Sequence, residues 1–441
     1  MKKILLISTI IFAPFVMLAQ DVYTLKSCLE LGLENNYSVR ISKNDEQISK
    51  NSATKANAGF LPTVDLAGRY SGTLNNTSST VRATGDVEKI NSALDHTFNV
   101  GLSLNWTIFD GFNISTNYKR LKELESTGEV NTRISIEDFV ADLTAEYYNY
   151  IQQKIRIKNF RYAVSLSKER LRIVEARYLI GNLSRLDLQQ ARVDFNADSS
   201  KYVKQHELLN TSRIRLNELM ANENVDQNLE IPDSIIDVNE LLIFEDLWQS
   251  TLNTNATLLK ADRNVNLAQL NLKSVNSRKY PYLRFSSGYG YTFNRYEVNT
   301  YKQRNVLGLD FGLTFGINIF DGTRRSQQKN ARIDIENARL QRQQLEQSLR
   351  AGISNLWQAY NNNLKMLKLE RENLIAAKQN HEIAMDRYML GDLSGIEMRE
   401  AQKNLLDAEE RILSAEFDTK LCEISLLQIS GKVLKYLGNS D

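Results

Sequence analysis

The chain carries one order of signals twice, and self-similarity on that scale constrains the fold before any local reading does. Residues 24–220 lie over residues 243–430. Leu33-Glu34-Asn35-Asn36-Tyr37-Ser38-Val39 answers to Leu252-Asn253-Thr254-Asn255-Ala256-Thr257-Leu258, and Leu61-Pro62 answers to Tyr280-Pro281, at one constant offset. Ile108-Phe109-Asp110-Gly111 then matches Ile319-Phe320-Asp321-Gly322. Last comes Ala176-Arg177-Tyr178-Leu179-Ile180-Gly181-Asn182-Leu183-Ser184 against Asp386-Arg387-Tyr388-Met389-Leu390-Gly391-Asp392-Leu393-Ser394. Two copies of one unit are expected, at 21–220 and 243–430, with 221–242 connecting them and 431–441 as a tail.

Each copy holds two stretches of strict alternation. Phe98, Val100, Leu102, Leu104, Trp106 and Ile108 alternate with Asn99, Gly101, Ser103, Asn105 and Thr107. Before them Val64, Leu66 and Tyr70 oppose Thr63, Asp65 and Arg69. In the second copy Leu283, Phe285, Tyr289, Tyr291 and Phe293 form one such set, and Leu307, Leu309, Phe311, Leu313, Phe315, Ile317 and Ile319 form the other. Period two predicts strands with one apolar and one polar face, hence hairpins at about 61–109 and 281–320. The segment from about Asn75 to Asp95, rich in Asn, Ser, Thr and Gly, shows no period and reads as a mobile surface loop.

The strands reach the roughly 9 to 11 residues that cross a tilted bilayer span, and aromatics such as Trp106 and Tyr291 sit on their apolar faces. A soluble antiparallel sheet resting on a core is the alternative. Little apolar sequence outside the helices remains to cover such a sheet, so a membrane barrel is expected. Its lipid-facing side chains would be Phe98, Val100, Leu102, Leu104, Trp106, Leu309, Phe311, Leu313 and Phe315.

After each hairpin the period changes. Residues 112–179 run without proline, with three-and-four spacing through Leu143, Tyr147, Ile151, Ile155, Phe160, Val164, Leu171, Val174 and Tyr178. That pattern predicts an amphipathic helix on the order of 100 Å long, at 1.5 Å per residue. A return helix over 185–220 completes a helical hairpin at 112–220, repeated at 323–430. Gly181 and Gly391 should end the long helices in the left-handed conformation that glycine adopts cheaply.

Met1-Lys2-Lys3, the apolar run Ile4 to Leu18 and Ala19-Gln20-Asp21 have the form of a secretory signal over 1–20. The run is too short for a spanning helix, which needs about 20 residues, and no later segment reaches that length. Cleavage after Gln20 removes Lys2 and Lys3, leaving 55 − 2 = 53 basic against 53 acidic residues. Neutral balance gives no reason to expect a nucleic-acid partner. Cys28 and Cys422 lie far apart in an exported chain, and free thiols are expected there, with a disulfide as the alternative; neither stands at the new N-terminus for lipid attachment.

Four strands cannot close a barrel. Open edges would leave backbone donors and acceptors bare in lipid, and single-chain barrels begin at about eight strands. Several subunits must therefore share one barrel, with dimer and trimer both open.

The doubled order quoted above, with its Leu-Pro or Tyr-Pro strand start, Ile-Phe-Asp-Gly and Arg-Tyr-x-x-Gly-x-x-Ser, resembles the outer membrane efflux proteins, the TolC family. The resemblance covers nearly all of the mature chain. It implies an α+β membrane protein: a trimeric β-barrel with four strands per subunit, continued by an α-helical coiled-coil barrel across the periplasm. The implied partners are a periplasmic adaptor protein, an inner-membrane efflux or secretion transporter and outer-membrane lipid. Residues matching the adaptor-contact tips are Ile180, Gly181, Asn182, Leu390, Gly391 and Asp392. Asp187 and Tyr388 match a link that holds the tunnel's end closed. Glu397 and Glu400, three apart and so on one helix face, match an acidic ring there. Leu393 departs from members with a basic residue at that position.

No catalytic site, cofactor or metal is expected. His96, His206 and His381 are scattered, and the chain contains no His-Glu-x-x-His, Gly-x-Ser-x-Gly, phosphate loop or Cys-x-x-Cys.

Overall fold

The computed structural model describes residues 23–438 apart from 81, 299 and 300; the expected signal segment and the end of the tail lie outside the described residues. Helices α1 (Leu25–Asn35), α2 (Tyr37–Ser52) and α3 (Lys55–Ala58) precede strands β1 (Thr63–Thr80) and β2 (Val87–Asp110). Helices α4 (Asn113–Leu179) and α5 (Arg185–Leu219) follow. The order then repeats as α6 (Phe244–Thr254), α7 (Ala256–Ser277), β3 (Tyr282–Arg295), β4 (Gln303–Gly316), α8 (Gly322–Leu390) and α9 (Gly395–Ile429), before a 3-10 helix at Val433–Leu437.

The repeated motifs prove to be punctuation. Asn36 Oδ1 accepts from the amides of Ser38 and Val39 at the start of α2, and its counterpart Asn255 accepts from Leu258 N–H at 2.9 Å to cap α7. Asp110 accepts from Ile114 N–H at 2.9 Å and Asp321 from Thr323 N–H at 2.9 Å, so the aspartate of each Phe-Asp-Gly opens a long helix. Gly111 has φ +69°, and a Cβ there would meet the Ser277 carbonyl at 2.4 Å.

The chain divides into two compact units. One comprises 41–135 and 252–351 and contains a single antiparallel sheet in the order β1-β2-β3-β4. Its register lines up Leu66, Leu102, Tyr289 and Leu309 across all four strands, with Val64, Leu104, Ser287 and Phe311 in the next such row and Trp106, Phe285 and Leu313 beyond. The opposite face carries Ala67, Gly101, Gly290 and Gly308 in one row and Asp65, Ser103, Gly288 and Asp310 in another. One face is therefore predominantly apolar and the other predominantly polar, with Ser287 and Asn305 as polar residues on the apolar side. Neither rests on a core: Leu66, Leu309 and Phe311 are 73%, 68% and 78% exposed. That is not the geometry of a soluble sheet packed on one side.

Two expectations are corrected here. The stretch read as a loop from Asn75 to Asp95 is mostly strand, with Thr77 opposite Ile90 and Thr80 opposite Val87 beyond a bulge near Asn75. Asn75 to Thr80 is polar on both faces, and Val87, Ile90 and Leu94 fall three and four apart, so the period-two signal fails there although the ladder continues. The alternation in β2 also stops at Trp106: a bulge between Thr107 and Phe109 takes Ile108 out of register and places Phe109 opposite Leu283. Ile317 and Ile319 lie past the end of β4.

The other unit, 23–40, 136–251 and 352–438 of the described residues, has an interior of its own. Leu29, Val39, Leu143, Tyr147, Ile151, Leu216 and Met220 are fully enclosed there, each contributing about 1.5–3 kcal/mol for an aliphatic side chain. Tyr147 donates to Asp233 at 2.6 Å. Cys28 and Cys422 are both free, and burial pushes the Cys28 thiol up to about 12. Toward the end of α4 the buried side chains are Ala163, Ser167, Arg170 and Val174 rather than Phe160, Val164 and Tyr178. Two of those four are polar, which hides the stripe from a hydrophobic pattern.

Candidate gate at the helix tips

Both helical hairpins turn by one device. Gly181 and Gly391 take φ +81° and +90°, as glycine at these turns was expected to do. Gly181 N–H donates to Tyr178 O at 3.0 Å and Asn182 N–H to Arg177 O at 2.9 Å; Gly391 and Asp392 repeat this with Tyr388 O and Arg387 O at 3.1 and 2.9 Å. This paired arrangement satisfies the last carbonyls of a helix. Ser184 and Ser394 then start the return helices with reciprocal capping boxes, their hydroxyls 2.7 Å from the carboxylates of Asp187 and Glu397.

These bonds hold Asp187 and Glu397 below the ordinary carboxylate range, through the serine hydroxyl first and the serine N–H second. Their capping contribution is therefore fully present above the unfolded carboxylate pKa of about 4 and is lost as pH falls through the lower folded value. Ser184→Ala or Ser394→Ala should weaken each helix start by about 1 kcal/mol. Hydrogen exchange at residues 185–188 and 395–398 should then quicken about fivefold at neutral pH.

Between the turns lies a cavity of about 850 Å³ lined by Arg170, Arg177, Asp187, Asp194, Tyr388, Arg399 and Glu400, among others. Tyr388 is 2% exposed, packed with Ala384, Met398 and Ala401, and burial raises its pKa. Arg177 lies 5.2 Å over its ring and donates to its carbonyl at 3.0 Å. Among the described residues Tyr388 Oη has no hydrogen-bond partner. The expected Asp187–Tyr388 link is thus not made within the chain: both residues line the cavity, but the Asp187 carboxylate is committed to Ser184. Glu400 is exposed on the cavity wall, one turn beyond Glu397.

Sequence reasoning missed the charged cluster behind these residues. Arg170 on α4 pairs with Asp194 on α5, and Arg399 on α9 grips Asp198 with two bonds at 2.7 and 2.9 Å. Gln190 donates to Asp194 at 3.1 Å and Arg170 to Gly395 O at 3.3 Å, so the cluster ties α4, α5 and α9 together. The repeat concealed it, because the positions equivalent to Arg170, Asp194, Asp198 and Arg399 are Asn380, Asn404, Ala408 and Gln189. Also missed were Leu186 and Ile396, equivalent positions that are 77% and 80% exposed beside the equally exposed Ile180 and Leu390. The Ser-x-Leu-Asp and Ser-x-Ile-Glu spellings, occurring twice, carried that signal.

Among the described residues no group of three or more acidic, histidine or cysteine side chains could hold a metal, and no helix is long and apolar enough to cross a membrane.

Against known proteins, this chain is 20% identical over 428 residues to the outer membrane efflux protein BepC of Brucella suis, covering 93% of this chain and 86% of that one. It superposes on a membrane protein from Pseudomonas aeruginosa with a TM-score of 0.76 at 15% identity, covering 93% and 91% of the two chains. For the CmeC outer membrane channel of Campylobacter jejuni the values are 0.73, 16%, 92% and 85%. The family described as outer membrane efflux protein matches residues 29–222 and 247–432, one match for each copy of the repeat. The chain belongs to the outer membrane efflux protein family, the TolC-type channels whose two-repeat mixed helix and strand fold it has.

Proposed function

We propose that this chain is one subunit of a trimeric outer-membrane duct. It would serve passively as the exit for a tripartite efflux pump or a type I secretion system carrying small molecules or polypeptides. The observation that carries this reading is the sheet: one face is predominantly apolar and the other predominantly polar, the apolar face is bare, and among the described residues β1 and β4 each have one edge unpaired. In lipid such edges must be paired, and a second and third copy supply the partners. Phe98, Val100, Leu102, Leu104, Trp106, Leu309, Phe311, Leu313 and Phe315 then face lipid, and the rows through Gly101 and Ser103 face the lumen. Passage is proposed to be passive, the serine hydroxyls at the tips serving as helix caps.

The helix tips meet a periplasmic adaptor through Ile180, Gly181, Asn182, Leu390, Gly391 and Asp392, with Leu186 and Ile396 adding apolar surface. Tyr388 and Asp187 hold the resting closure, the unpartnered Tyr388 hydroxyl being free to donate to a carboxylate on the same cavity. Glu397 and Glu400, repeated around the axis, form an acidic ring that favours cations.

Single-channel recording of the purified protein in planar bilayers tests this. Tyr388→Phe with Asp187→Ala should raise the resting conductance, and Glu397→Ala with Glu400→Ala should weaken cation preference. If both double variants conduct and select like the wild type, the gate lies elsewhere. Valine at Gly181 and Gly391 would be strained at these positive φ values and should abolish adaptor capture. Undiminished capture would remove the docking assignment.

A further inference from the structure

In the unit that carries the sheet, exposed aromatics at the ends of the strands give way to exposed lysines on the helices. Trp106, on the apolar face, donates to Phe60 O at 3.0 Å, and the Phe60 ring meets Tyr118 edge-on at 6.1 Å. Tyr118 lines a groove of about 440 Å³ between α4 and α7, together with Lys119, Lys122 and Lys273. A second aromatic path runs from Phe109, opposite Leu283 on the apolar face, through Phe112 to Tyr280, with ring separations of 5.1 and 6.2 Å. Lys279 Nζ sits 5.0 Å over the Tyr280 ring. Both paths start on the apolar face, and the first ends at the groove.

The charges in this region are unequal. Lys122 is paired with Glu125 at 2.6 Å, and Glu123 is engaged by Arg263 at 3.3 Å and Asn266 at 3.1 Å. Lys119, Lys273 and Lys279 are exposed and have no ion-pair partner among the described residues. Lys119 follows Phe112 by seven residues, about 10 Å along a helix, and a lysine can bend its ammonium back by several ångströms while its stem lies on apolar surface. The Lys119 ammonium can thereby reach the headgroup layer, which adds about 5–7 Å to each side of the hydrocarbon; Lys273 lines the same groove and Lys279 stands over Tyr280 at the end of the second path.

We propose that Lys119, Lys273 and Lys279 form a collar that binds the phosphates of anionic phospholipids in the periplasmic leaflet of the outer membrane. The collar rests on the lipid-facing reading of the sheet and continues that face into the headgroup layer. It fixes the depth of the barrel, with aromatics at the hydrocarbon boundary and cations just beyond. An anionic surface attracts each such lysine by roughly fivefold in partition.

The test uses full-length protein in mild detergent, mixed with equal amounts of dioleoylphosphatidylglycerol and dioleoylphosphatidylcholine, with retained lipids counted by native mass spectrometry. The wild type should keep the anionic lipid at least about fivefold over the zwitterionic one, and Lys119→Gln/Lys273→Gln/Lys279→Gln should bring the ratio near one. A control carrying Lys158→Gln/Lys168→Gln/Lys201→Gln, all exposed lysines of the other unit, should keep the wild-type ratio. Equal retention by the wild type, preference surviving in the collar variant, or preference lost equally in the control overturns the collar and leaves the barrel intact. Protein that stays dispersed in buffer without detergent overturns the barrel reading, and the collar with it.

Discussion

Lysine at Leu104 or Leu313 is expected to destabilise the assembled barrel by roughly 2–4 kcal/mol, while lysine one residue away at Ser103 or Thr314 should cost far less. The register gives the reason. Leu104 lies between Val64 and Ser287, whose hydroxyl already donates to Asp310 O, and Leu313 lies beside Phe285, so neither row offers a carboxylate to a mid-bilayer ammonium. Ser103 instead shares its row with Asp65 and Asp310, two carboxylates on the polar face. Thr314 stands opposite Arg284, so lysine there meets a like charge and should be the less tolerated of the two lumen changes. The expected order of assembled, heat-modifiable oligomer in the outer-membrane fraction is Ser103→Lys above Thr314→Lys, with Leu104→Lys and Leu313→Lys far below. Equal defects at all four would mean the faces are misassigned.

The second large effect is expected at the charged cluster behind the tips. Arg399→Ala should weaken the packing of α9 against α5 by about 3–5 kcal/mol, because Asp198, only 2% exposed, would remain as an uncompensated buried charge. Asp198→Ala should cost less, since the Arg399 side chain is 23% exposed and can reach water. Replacing both, as Asp198→Leu with Arg399→Met, should restore most of the loss, which removal of a single partner cannot do. Native-state hydrogen exchange over residues 194–202 and 398–405 measures the local opening free energy. A change below about 1 kcal/mol for Arg399→Ala would mean that the cluster does not hold the hairpins together.

The architecture was legible because its determinants are local and occur twice. Asn36 and Asn255 cap helices, Asp110 and Asp321 open them, and Gly181 and Gly391 close them, so each repeated motif marks an end that backbone chemistry requires. The strands were legible where one face is apolar, as in Phe98 to Trp106, and illegible from Thr77 to Thr80, where both faces are polar. The same reliance on doubling hid what is not doubled. Tyr178 and Tyr388 occupy one motif position, yet the first is 37% exposed and the second 2%. Arg170, Asp194, Asp198 and Arg399 have neutral counterparts and meet only through tertiary packing, which no spacing along the chain reveals.

The central claim is that three copies of this chain complete one barrel. It is tested most directly by weighing the detergent-purified particle with light scattering, detergent mass subtracted, before and after boiling. Three chains before heating and one after are predicted, with precipitation when detergent is withdrawn. A single chain that stays dispersed without detergent would contradict the barrel, and a stable particle of two chains would contradict the trimer.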